Sequence, residues 1–172
     1  MPPVKQEKIR PTAVLYDLRM SVSEILDIPF TERIDHQAFQ PDKKILALWA
    51  ADCAEHVLPC FEAKCPDDDR PRKAIEACRD WARTGVFRMA VIRGASLSAH
   101  DAARDVKGDD AACFAAHAAG QAVATPHVPT HALGSSLYGI RAAAAHSGNV
   151  DDGLVREREW QLGRLREYVE QR

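Results

Sequence analysis

The chain has 172 residues, 46% hydrophobic and 28% charged, with a formal net charge of −2. That balance describes an ordinary soluble globule long enough to bury a real core. It offers no basic stripe interleaved with aromatics, so nucleic acid is not an expected partner, and no apolar run approaches the ~20 residues of a membrane span.

Taken from the N-terminus, residues 1–40 read as a partly helical extension to an all-α domain over residues 41–172. Val14, Leu18, Val22 and Ile25 give residues 13–28 some helical periodicity, and residues 31–41 read as an extended connection. The opening MPPVKQEKIRP has no apolar core of a signal peptide. Five cysteines, an odd number, sit mostly in predicted helices and suit a reducing compartment. The expected location is the cytoplasm.

A first domain helix is predicted over residues 42–63, with Pro59 bending its last turns. Its run ILALWAADCAEHVLPCF places Trp49, Asp52, Cys53, His56 and Cys60 on one stripe. An acid and an imidazole four residues apart on an apolar face are costly to bury unless paired. The spacing therefore predicts that Asp52 accepts from one nitrogen of His56 and leaves the other free for proton transfer. The Asp67-Asp68-Asp69 string and Pro71 announce a second helix, with Asp69 as N-cap, ending at Thr84-Gly85. Arg70, Arg72 and Arg79 crowd its acids as a solvated network, from which one arginine can turn inward onto a carboxylate.

The third helix is expected over residues 86–106, with His100 at the edge of the Ile92/Ala95/Ala99 face. Asp109 is read as the cap of a fourth, Ala-rich helix, and Thr125 with Pro126 as the start of a fifth that runs to His146. His127 and His131 then share the i, i+4 spacing of helical metal ligands. No glutamate completes a zinc hydrolase motif and Pro129 interrupts the helix, so no metal is assigned. Ser135 and Tyr138 continue the polar line. A last amphipathic helix, residues 151–169, carries Leu154, Leu162, Leu165 and Val169. No segment alternates like a strand, so the fold class is a single-domain all-α bundle of five to seven helices. Its Ala-rich faces suit a homodimer as well as a monomer core.

With no nucleophile elbow, phosphate loop or dinucleotide glycine pattern, the chemistry expected of an enzyme here is cofactor-free acid–base work: isomerisation, elimination, cyclisation or hydrolysis. In that reading Asp52, His56, His127 and His131 are catalytic. Trp49, His100, Ser135 and Tyr138 bind a small-molecule ligand.

The strings LALWAADCAEHVLPCFE, RPRKAIEACRDWA, SAHDAARD and AAGQAVATPHVPTHALGSSLYGIRA carry a resemblance. Over residues 44–145 the chain resembles the "immunity protein five-like" family of small all-helical proteins. The resemblance implies a helical fold and, as the alternative function, binding and neutralising a partner toxin. It maps the family pattern onto Asp52, His100, His127 and His131. The chain departs from that pattern in its N-terminal extension of about 40 residues and in Pro126 and Pro129.

Overall fold

Alanine dominates the interior-facing positions, and the chain answers with helices. The computed structural model describes residues 43–106 and 108–170, and the helical periodicity expected within residues 1–40 lies outside them. In chain order the helices are α1 (Lys43–Lys64), α2 (Arg70–Thr84), α3 (Met89–Asp105), α4 (Asp110–Ala124), α5 (His131–His146) and α6 (Val150–Glu170). All six fall in one compact unit, Gln40–Arg172. Among the described residues there are no strands, and none of the helices is long and apolar enough to cross a membrane.

Two helices are buried nearly all round and form the centre. In α1 the run Trp49 to Ala54 is buried without a break, and α4 buries Ala111, Ala112, Ala115, Ala116, Ala118, Ala119, Gly120, Ala122 and Val123. A helix buried on every side must lie inside the bundle rather than on its surface. α4 packs against α5, α1, α3 and α2, while α6 touches chiefly α5 and, more lightly, α1. Alanine at the crossings lets backbones approach closely. The few large buried side chains, Trp49, Leu58, Phe61 and Val123, fill the remaining volume.

The helix ends follow local chemistry, with three departures from expectation. Asp109 caps α4 as predicted, its carboxylate accepting from Ala112 N at 3.0 Å. Gly85 closes α2 in the left-handed conformation, φ 71°, with its N–H on Trp81 O. Asp69 does not cap α2: its side chain makes no cap hydrogen bond, and Asp68 accepts from Arg70 N instead. α3 begins at Met89, three residues later than expected.

The largest departure concerns Thr125, which does not open α5. It sits in helical conformation as the C-cap of α4, its hydroxyl turned back to Gln121 O. Pro126 has no N–H to continue the ladder, so His127 N and Val128 N both bond to Ala124 O in a turn. α5 starts only at His131, and His127 and His131 are therefore not two turns of one helix. Pro59, by contrast, lies inside α1, which runs on to Lys64.

α6 enters through Asn149, whose side chain accepts from Asp151 N at 3.2 Å, and Gly153 lies in its buried first turn. A Cβ there would meet the Ala143 carbonyl oxygen at 2.8 Å and Ala144 Cα at 3.1 Å, which are backbone atoms that cannot swing away. Gly153→Ala is therefore expected to lose about 1–3 kcal/mol as α5 and α6 are forced apart, despite alanine's better helix propensity. Thermal denaturation of the variant checks this, and an unchanged melting temperature would contradict it.

Candidate functional site

Asp52 lies on the buried face of α1, where an ionised carboxylate is tolerated only with partners. It has three, from two other helices. Arg79 of α2 donates to Oδ1 at 2.7 Å, and Arg164 of α6 donates to Oδ2 at 2.6 Å. Tyr168, one turn further along α6, donates its hydroxyl to Oδ2 at 2.7 Å. Burial, reinforced by the hydrogen bond to Asp52, pushes the Tyr168 phenol up and keeps it a donor. Arg79 also reaches Glu55. It is thus the arginine that turns inward from the surface network.

The expected Asp52–His56 pair is not made. With both Asp52 oxygens held by cations and a phenol, His56 turns instead to Glu157 of α6, its Nδ1 2.7 Å from Oε2. The His56 side chain is 42% exposed, whereas that of Glu157 is 3% exposed. Glu157 is steadied in turn. Gln161 Nε2 donates to its other oxygen at 2.9 Å and to Ser136 O, while Gln161 Oε1 accepts from Ser136 Oγ at 2.5 Å. Gly139 makes room for this layer, since a Cβ there would lie 3.0 Å from Gln161 Nε2. The His56 ring also stacks on Trp160, centroids 3.8 Å apart and planes 7° from parallel.

This arrangement opens on a cleft of about 440 Å³ between α1, α5 and α6, bordered also by Cys60, His146 and Arg156. Burial first, then the Asp109 charge, pushes the Cys60 thiol up, so it is not the activated thiolate of a nucleophile.

The other expected site residues go to separate places. Trp49 is fully buried and donates its indole N–H to Gln161 O at 2.9 Å. Ser135 is fully buried, its Oγ 2.9 Å from Ala50 O and 3.0 Å from Ala118 O, so one hydroxyl ties α5 to α1 and α4. His131 places Nδ1 2.6 Å from Gln121 Oε1 of α4. His127 is exposed in the turn before α5, its ring centroid 6.4 Å from that of Phe87. His100 and His117 meet across α3 and α4, Nδ1 to Nδ1 at 2.8 Å, and His117 stacks on Tyr138. Arg141 lies over Tyr138 and Phe114. Among the described residues no group of three or more His, Cys, Asp or Glu side chains converges as metal ligands.

Glu157, Gln161, Arg164 and Tyr168 went unread in the sequence. Their 4-3-4 spacing puts them on one stripe of α6, beside Leu165, facing Trp49, Asp52 and His56. That matching spacing of acids, bases and amides on two helices was the available signal.

The fold and this interior define an all-helical protein whose buried ionic groups are answered from within. The chain belongs to the family described as Imm-5 like putative immunity protein, whose model matches residues 37–168. No curated protein and no solved structure gives a match.

Two outcomes follow from this geometry. Asp52→Ala leaves Arg79 and Arg164 facing an apolar gap. It should cost about 2–4 kcal/mol in denaturant unfolding, the range for a broken buried pair reduced because both arginines are about one-third exposed. The second concerns His117, whose pKa burial, then His100 and Arg104, lower to about 4. A folded value below the unfolded value of about 6.5 means that the unfolded chain takes the proton first. Stability is thus full above about pH 6.5 and falls as the pH drops toward 4. A His117→Gln variant should show a flatter profile over that window in pH-dependent melting, and an unaltered slope would refute the assignment.

Proposed function

We propose that this protein is an immunity-type interaction protein that binds and neutralises a partner toxin. Membership of the family over residues 37–168 is the observation that carries the reading. The geometry supports it in two ways. Asp52, His131, Ser135 and the His100–His117 pair are engaged with other protein groups rather than held toward an enclosed cavity. And the surface between α2 and α3 leaves large apolar side chains in water.

Val86, Phe87, Met89 and Val91 are 43–56% exposed within six residues of chain. Beside them a groove of about 350 Å³ is lined by Trp81, Val86, Val91 and Ile92, with Arg83 and Arg88 on its border. Apolar, aromatic and methionine side chains flanked by arginine are the composition of interface centres. Asp80 is the acid on that border, paired with Arg83, and Arg93 is also exposed nearby. A toxin surface presenting an apolar knob ringed by acidic side chains complements this face. Neutralisation follows if the knob or its surroundings belong to the toxin's working surface. The five free cysteines fit action in a reducing cytoplasm.

The test is co-expression with a panel of growth-arresting polypeptide toxins. The intact protein should restore growth. Phe87→Asp and Val91→Asp should each weaken toxin binding by about 30-fold, the cost of losing one interface anchor, with melting temperature unchanged because both side chains already face water. No protection from the intact protein would defeat the reading. Protection that survives both substitutions would move the contact to another face.

A further inference from the structure

His56 differs from the other histidines in how completely its ring is set while one nitrogen stays open. Nδ1 is engaged by Glu157, and Glu157 is braced by Gln161, which is itself fixed by Ser136. Trp160 covers one face of the ring. Among the described residues no protein group hydrogen-bonds Nε2. A structure that only needed to neutralise Glu157 would not require a stacked ring at the border of an open cleft.

The charge of the cleft wall selects the ligand. Its exposed ionisable groups are basic: His56, His146 and Arg156. Its one carboxylate, Glu157, is buried behind His56 and spent on internal partners. Arg156 uses Nε on Asp152 O at 3.2 Å, which leaves the terminal nitrogens of its guanidinium fork. Basic donors bordering a concave, partly apolar site are suited to an oxygen anion.

We infer that the cleft between α1, α5 and α6 is a binding site for a small molecule bearing an oxyanion. With its ring protonated on both nitrogens, His56 donates from Nε2, and Arg156 from its guanidinium, to the anionic oxygens, while Trp160, Val57 and Ala143 receive the ligand's apolar part. Glu157 is a positioning residue, holding the ring by Nδ1 so that Nε2 is presented. The site is distinct from the α2–α3 face and does not depend on the toxin-binding reading.

The experiment follows the histidine ring nitrogens of the full chain by nitrogen–proton correlation NMR at constant ionic strength and pH. Sodium phosphate and sodium acetate are titrated separately. Saturable shifts of His56 with either anion, and none at the exposed His127, are expected. The tighter of the two identifies the oxyanion as phosphate or carboxylate. Arg156→Gln, a change at an exposed side chain that leaves the fold intact, should weaken binding about tenfold through loss of a charge-assisted contact. Glu157→Gln should weaken it too, and its melting curve separates lost positioning from lost structure. Shifts that fail to saturate for both anions, or that are equal at His56 and His127, would overturn the inference. So would unchanged affinity in Arg156→Gln.

Discussion

A carboxylate on the buried face of a central helix has to be met by cations from its neighbours, and much of this bundle is arranged to meet it. Asp52 stands in an unbroken buried run of α1, so little water reaches it. Arg79 reaches it from α2, and Arg164 and Tyr168 reach it from α6. One side chain thereby fixes three helices in mutual orientation. Charge-assisted hydrogen bonds of this kind are directional, so they set how α6 is rotated and how far it slides along α1.

That direction matters because α6 touches α1 only lightly. What it offers there is polar: Glu157 to His56, the Gln161 carbonyl to Trp49, and the Arg164–Tyr168 pair to Asp52. Buried ion pairs are weak sources of net stability but strong penalties against wrong arrangements. α6 is thus specified by which partners it finds rather than by how much area it covers. The contrast is with α1, α4 and α5, where alanine-to-alanine contact supplies the cohesion.

The helices themselves were readable from the chain, since their periodicity and the Asp109 cap each have a local cause. Thr125 was misread because Thr-Pro is a good helix start in isolation. Here the preceding helix, packed against four others, carries its conformation into Thr125 as its C-cap. At the site, the polar stripe of α1 was visible but its partners were not. Asp52 and His56 look like a pair at i, i+4 until Glu157 and Arg164, more than 100 residues away, compete for each of them. Which of several carboxylates an imidazole chooses is decided by tertiary approach, and sequence spacing on one helix carries no record of it. The same holds for His127 and His131, separated by a turn that two prolines create.

The alanine-lined centre has a consequence for how this protein can change over evolutionary time. Where α1 and α4 cross, the buried positions admit no larger side chain without parting the helices, and few smaller ones exist. Mutational drift is therefore freest on the outer faces, where side chains end in water. A scaffold of this kind can exchange its surface residues while its interior is inherited almost intact. Closeness of packing inside and freedom to diversify outside are, in this fold, the same property.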